Sequence, residues 1–83
     1  MEKLTREQVI QIVKKQFEDA QVVIAEDSSM DTVQDWDSLV HLGILVALDV
    51  ELDGRAASIK KLAGSRSVKE IIDALNENQL IAG

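Results

Sequence analysis

The stretch DWDSLVHLGILVALDVELDG, residues 35–54, decides how this chain folds. Leu39, Leu42, Val46 and Val50 recur at helical spacing and form one apolar stripe. Val40, Ile44, Leu45, Ala47 and Leu48 leave most of the other sides apolar as well. A helix of that kind is either central and buried or keeps one face for a partner. Asp37 is a residue type that caps helix N-termini, and Ser38 then falls in the first turn. Asp53-Gly54 is a stop signal, with Gly54 suited to a left-handed C′ position. The pattern predicts a helix from near Ser38 to about Leu52.

Working outward, Gln21 to Trp36 shows no sustained period and reads as a long loop. It is expected to pack Val23, Ile24, Val33 and Trp36 against the core. Loops this long are uncommon in small domains and often functional. Before it, Thr5-Arg-Glu-Gln8 matches a capping box, and Val9, Ile10, Val13 and Phe17 follow at helical spacing. This predicts an amphipathic helix from Thr5 to about Ala20. On the other side, Arg55 to Ala63 is a short helical segment with Ala56, Ile59, Leu62 and Ala63 as its apolar contacts. Gly64-Ser-Arg breaks it. Ser67-Val-Lys-Glu70 is a second capping-box match, followed by Val68, Ile71, Ile72 and Leu75 at i, i+3, i+4, i+7. That last helix is expected to end near Asn76. The tail, 77–83, is expected to fray, although Leu80 and Ile81 could dock. The sum is an all-α, small four-helix bundle: three main helices, one short helix, and a long loop between the first two. It forms a single domain over 1–83 with its helical core at about 5–76.

Composition sets the boundaries of function. Eighty-three residues are one domain, too few for a doubly wound sheet or two lobes closing on a substrate. With one Phe and one Trp the core must be aliphatic. Nine Lys and Arg against fifteen Asp and Glu give a net charge of −6. Such a surface disfavours nucleic acid and anionic membranes and suits basic partner surfaces. There is no cysteine, which removes disulfides, iron–sulfur clusters, thiolate zinc sites and thiol catalysis. No run is long enough to span a membrane and the N-terminus is polar, so a cytoplasmic protein is expected, by default a monomer. Asp27, Asp31, Asp35 and Asp37 lack the spacing, glycine and terminal glutamate of a calcium loop, and no metal is expected.

Ser38 would present its hydroxyl at a helix N-terminus, where unpaired backbone N–H groups and the dipole favour a bound or attached phosphate. Asp37-Ser38-Leu39, after a loop and before an apolar helix, resembles the attachment motif of acyl carrier proteins. The order of helices, the acidity and the lack of cysteine are also similar to that family, over about residues 5–76. The version Trp36-Asp37-Ser38-Leu39 resembles stand-alone carriers of specialised biosynthesis more than the fatty-acid form.

The resemblance implies a non-catalytic protein. Its Ser38 would carry 4′-phosphopantetheine, transferred from coenzyme A by a phosphopantetheinyl transferase. Acyl intermediates would be held on that arm as thioesters for fatty-acid, polyketide or related pathways. Acyl-activating enzymes, acyltransferases or ketosynthase-type enzymes would be its partners. Asp37 reads as an N-cap that would also serve the transferase or orient the arm, with Leu39 beside it. Trp36 reads as a loop-to-core anchor. His41, three residues after Ser38, is expected to be exposed near the arm. Val40 and Gly43 stand where family members commonly carry acidic side chains, which implies a more apolar partner contact. With His41, and with Asp49 and Glu51 further along, they would form the recognition face. Leu42, Val46, Leu62 and Ile71 are candidates to line the core where an acyl chain is sheltered. Two alternatives stand beside this reading. One is an aminoacyl or peptidyl carrier of the same fold. The other is an unmodified helical interaction module. A Ser38–His41–Asp37 hydrolase fails, because there is no nucleophile elbow and neighbours on one helical turn do not reach triad geometry.

Overall fold

In a computed structural model, which describes residues 3–19 and 21–82, the chain forms four helices. They are α1 (Arg6–Lys15), α2 (Ser38–Glu51), α3 (Lys60–Gly64) and α4 (Val68–Glu77). No strand occurs among the described residues. Two isolated bridges, Leu4 with Ile81 and Ser29 with Ser67, are the only β pairing there. The all-α bundle expected from the sequence is the observed fold.

Each main helix begins where its cap lies. The Gln8 N–H donates to Thr5 Oγ1, and the Thr5 N–H donates back to Gln8 Oε1, a complete capping box. The box before α4 is only half made. The Glu70 N–H donates to Ser67 Oγ, but the Glu70 carboxylate accepts from the Arg66 N–H instead. α1 stops at Lys15, short of the expected end near Ala20, which itself lies outside the described residues. Gln16 and Phe17 donate to carbonyls three residues back, tightening the last turn. Asp19 then takes the Gln21 N–H on its own carboxylate, a local turn that competes with helix.

The core is aliphatic. Val9 and Val13 of α1, Ile44 and Leu48 of α2, Leu62 of α3, and Val68, Ile71, Ile72 and Leu75 of α4 are buried, closed by Phe17 and Trp36. The apolar stripe expected of α2 exists but faces outward. Leu39, Leu42, Val46 and Val50 are exposed, and the core-facing row is His41, Ile44, Leu48 and Leu52. Both rows have helical spacing, and hydropathy alone does not say which one turns inward. Val23 is likewise exposed, whereas Ile24 and Trp36 are buried and Val33 packs at the core's edge. Ala56, Ile59 and Leu62 are buried as expected around the short helix, whose span is narrower than Arg55–Ala63; Ala63 is exposed.

The long loop is held by its own backbone. Val68 N–H donates to the Ser28 carbonyl and Met30 N–H to that of Arg66, tying the loop to the entry of α4. An exposed Arg66–Asp31 pair lies alongside. Like the Arg6–Glu26 and Lys61–Glu77 pairs, it sits in solvent and contributes little.

α2 and α4 end in the same way. Asp53 sits at C′ with φ 54°, and the Gly54 N–H donates to the Asp49 carbonyl. Gly54 is therefore one position later than expected, at φ 84°. After α4, Gln79 takes φ 61°, its N–H donates to Asn76, and the Leu80 N–H donates to the Leu75 carbonyl. This paired ending turns the chain back on its helix and seats C″ on the C3 residue. Leu80 and Ile81 are thereby buried, and the backbone of Leu4 bonds with Leu80 and Ala82. The expectation of a frayed tail is corrected, apart from Gly83, which lies outside the described residues. Leu80→Ala is expected to cost about 2 kcal/mol, at the low end for a buried leucine at the margin of a core. The shift of the urea midpoint at constant slope measures it.

Candidate attachment site at the start of helix α2

Trp36 fixes the approach to α2. Its side chain is 2% exposed and meets Phe17 edge-on at 6.2 Å and 86°. It also stacks on His41 at 6.1 Å. The backbone N–H of Trp36 donates to the Val33 carbonyl. The next residue, Asp37, adopts an extended conformation (φ −110°, ψ −173°), and its Oδ1 accepts the Val40 N–H at 2.9 Å. Asp37 is thus the N-cap, as expected. Asp37→Ala is expected to cost about 1 kcal/mol and Asp37→Asn less than half of that, because asparagine keeps the accepting oxygen. Urea titrations of both variants check this.

Ser38 is the first residue of α2 and is exposed. The other serine hydroxyls are engaged. Ser28 accepts from Ala25, Ser29 bonds with Thr32, Ser58 donates to Arg55, Ser65 donates to Lys61, and Ser67 accepts from Glu70. Thr5 and Thr32 are engaged too. Among the described residues, Ser38 therefore carries the one hydroxyl with no intramolecular hydrogen bond. Helix geometry gives the Ser38 and Leu39 N–H groups no intrahelical acceptor, and the dipole favours negative charge there. The residues present fit a phosphodiester on Ser38.

Around it, the expected recognition residues divide. Leu39 is 77% exposed and points away from the bundle. Val40 and Gly43 turn toward α1 instead. Val40 packs against the core, and a Cβ on Gly43 would stand 3.2 Å from Oε1 of Gln16, the far end of a side chain just past α1. Asp49 Oδ1 accepts the Ala57 N–H, closing the turn after α2. Glu51 is exposed.

His41 is a correction. It is 6% exposed, not solvent-facing, and lies on the core side of α2. Its Nε2 is 2.9 Å from the Leu62 carbonyl and its Nδ1 3.3 Å from Trp36 Nε1. A carbonyl only accepts and an indole N–H only donates, so the ring is the Nε2–H tautomer. Ser38 and His41 do not form a nucleophile–base pair, because the ring nitrogens are both taken. Leu42 and Val46, expected to line a sheltering core, are on the outer face, while Leu62 and Ile71 are in the core. Leu42 and Val46 are the members of the outward row Leu39, Leu42, Val46 and Val50 that the sequence reading placed in the core.

Three open grooves flank α2. The first, of about 510 Å³, is lined by Asp37, Leu39, Val40 and Gly43 together with Gln16 and Phe17. The other two lie on the side of α3. One, about 390 Å³, starts at Ser38 and is lined by His41, Leu42, Leu45, Ala63 and Arg66 among others. The second, about 440 Å³, runs between Leu45, Val46 and Val50 on α2 and Ala56, Ile59 and Lys60. No group of three or more acidic or histidine side chains among the described residues is placed to hold a metal ion. No helix there is long and apolar enough to cross a membrane. Set against protein-family models, curated proteins and solved structures, the chain matches none.

Proposed function

We propose that this chain is an acyl carrier protein, with 4′-phosphopantetheine attached to Ser38. The observation that carries the reading is the exposed, unengaged hydroxyl of Ser38, in Asp-Ser-Leu at the first turn of an apolar helix. The prosthetic group, once attached, supplies the thiol on which an acyl group is held as a thioester. The protein's own work is to present that serine and to be read by partners. Asp37 caps α2 and keeps its first turn formed, Trp36 anchors the loop behind it, and the first-turn N–H groups meet the phosphate charge.

The outward row Leu39, Leu42, Val46 and Val50 is the surface that a transferase or an acyl-handling enzyme reads. α2 carries no charged side chain from Ser38 to Leu48, so this contact is apolar, with Glu51 and Asp53 offering charge at its far end. The overall charge of −6 favours basic partners and fast, brief encounter. The same exposed row favours one other reading, an unmodified interaction module.

One experiment separates them. The folded chain is incubated with coenzyme A and a promiscuous phosphopantetheinyl transferase, and its intact mass is measured. A gain of one phosphopantetheine, mapped to the peptide containing Ser38, is the expected result. No gain with two different transferases would assign the chain to the interaction modules.

A further inference from the structure

Two grooves meet the start of α2 from opposite sides, and they differ in charge. The one of about 510 Å³ is lined by Asp37 and Leu39 but not by Ser38, and Glu18, Asp19 and Asp35 join Asp37 in it. No lysine or arginine is among its described lining residues. Ser38 itself lines the groove of about 390 Å³ on the side of α3. Among the described residues of that groove the one charged side chain is Arg66, which stands between α3 and α4. The His41 ring beside it has both nitrogens engaged. α2 carries no lysine or arginine of its own.

Arg66 is fixed at its backbone and lightly held at its tip. Its carbonyl accepts the Met30 N–H, and its own N–H donates to Glu70 Oε1. Its guanidinium meets Asp31 through one nitrogen, Nη2 to Oδ1 at 3.2 Å, and both side chains are well exposed. An exposed pair with a single contact is weak and is readily exchanged for a better anion. A phosphate is such an anion, because the planar guanidinium fork matches two of its oxygens at once.

We infer that, with Ser38 as the attachment site proposed above, Arg66 is a positioning residue for the prosthetic arm: it leaves Asp31 for the phosphodiester on Ser38 and directs the arm into the groove on the α3 side. A phosphodiester keeps its negative charge at neutral pH. On Ser38 it is the immediate neighbour of Asp37, and three more carboxylates line the groove that Asp37 shares. Like charges oppose the phosphate on that side, and Arg66 attracts it on the other. The first-turn N–H groups draw the charge to the helix end without favouring either side. Arg66 supplies the preference.

The natural chain is loaded to completion with coenzyme A and a promiscuous phosphopantetheinyl transferase. Phosphorus NMR of the loaded chain is recorded folded and in urea, where the unfolded chain gives the signal of a phosphodiester without contacts from the fold. The arginine Nε–H signals of Arg6, Arg55 and Arg66 are recorded before and after loading. The expected result is a phosphorus signal displaced by folding, and a response to loading at Arg66 but at neither of the other two arginines. Arg66→Gln should lose most of the displacement, and Arg66→Lys, which keeps the charge without the fork, should retain more of it. Asp31→Asn separates this role from a merely structural one. If Arg66 only tied the loop to the entry of α4 through Asp31, removing either partner would move the phosphorus signal alike. An Arg66 released for the phosphate gives opposite results, a larger displacement in Asp31→Asn and a smaller one in Arg66→Gln. Equal effects of those two variants, or an Arg66 Nε–H that does not respond to loading, would overturn this role and leave the carrier reading standing. A natural chain that two transferases leave unloaded would overturn both. If Arg66→Gln does not fold, the Arg66 response in the natural chain decides.

Discussion

Ser38→Ala is expected to abolish loading outright: no mass gain at a transferase concentration that loads the natural chain completely. On the proposed reading the loss is total, because the hydroxyl would be the nucleophile and no neighbour would substitute for it. Ser28 and Ser65 are buried, and the hydroxyls of Ser29, Ser58 and Ser67 are committed to local hydrogen bonds. Stability should hardly move. Ser38 is exposed, its hydroxyl bonds nothing in the protein, and alanine is the better helix former. A change within about 0.5 kcal/mol is expected from urea unfolding, with helical circular dichroism unaltered. The pairing of the two measurements matters. Lost loading with retained fold assigns the site to the hydroxyl itself. Loading that survives, or that maps to another serine, refutes Ser38 as the anchor.

The helices were legible because their ends are chemical. Thr5, Asp37 and Ser67 each offer a side-chain oxygen to an N–H three residues on, and each stands where a helix starts. The inward face of α2 was not legible. Its two rows, Leu39–Leu42–Val46–Val50 and His41–Ile44–Leu48–Leu52, share one spacing, and the outer is the more uniformly apolar. The inner row packs on the core, and there Trp36 and the Leu62 carbonyl supply both ring nitrogens of His41 with partners. A lone histidine among aliphatic residues reads as exposed until both of its nitrogens are matched. The tail was misread for a related reason. Its turn rests on Gln79 in a left-handed conformation that sequence reasoning reserves for glycine or asparagine. The burial of Leu80 on the far side of that turn stabilises a residue type with no local preference for it. At the site, Ser38, Asp37 and Trp36 were legible from the motif and the cap. The roles of Val40 and Gly43 depend on the approach of α1, which no local pattern encodes.

Trp36→Ala should be the most destabilising single change in the loop, at about 4 kcal/mol. Three losses coincide at one side chain that is almost wholly buried. The edge contact with Phe17 goes, and with it the tie between the end of α1 and the loop. The stack on His41 goes, leaving a void beside α2. The Nδ1 of a buried imidazole is left without its donor, which by itself costs about 1–3 kcal/mol. Domains of this length have a total stability on the order of 5–10 kcal/mol, so the variant should unfold at a much lower urea concentration and be partly unfolded on mild warming. Trp36→Phe separates the causes. It keeps most of the apolar ring and removes only the N–H, so about 1–2 kcal/mol of loss is expected, chiefly from the stranded nitrogen. Circular dichroism in urea measures both, since the fluorescent reporter is gone. Near-equal losses would assign the energy to the hydrogen bond, and a large gap assigns it to packing. A loss under 1 kcal/mol for Trp36→Ala would mean that the backbone bonds of Ser28 and Met30 to the entry of α4 suffice to hold the loop. The position of Ser38 depends on which of these holds, because Asp37 can cap α2 only if the residue before it is fixed.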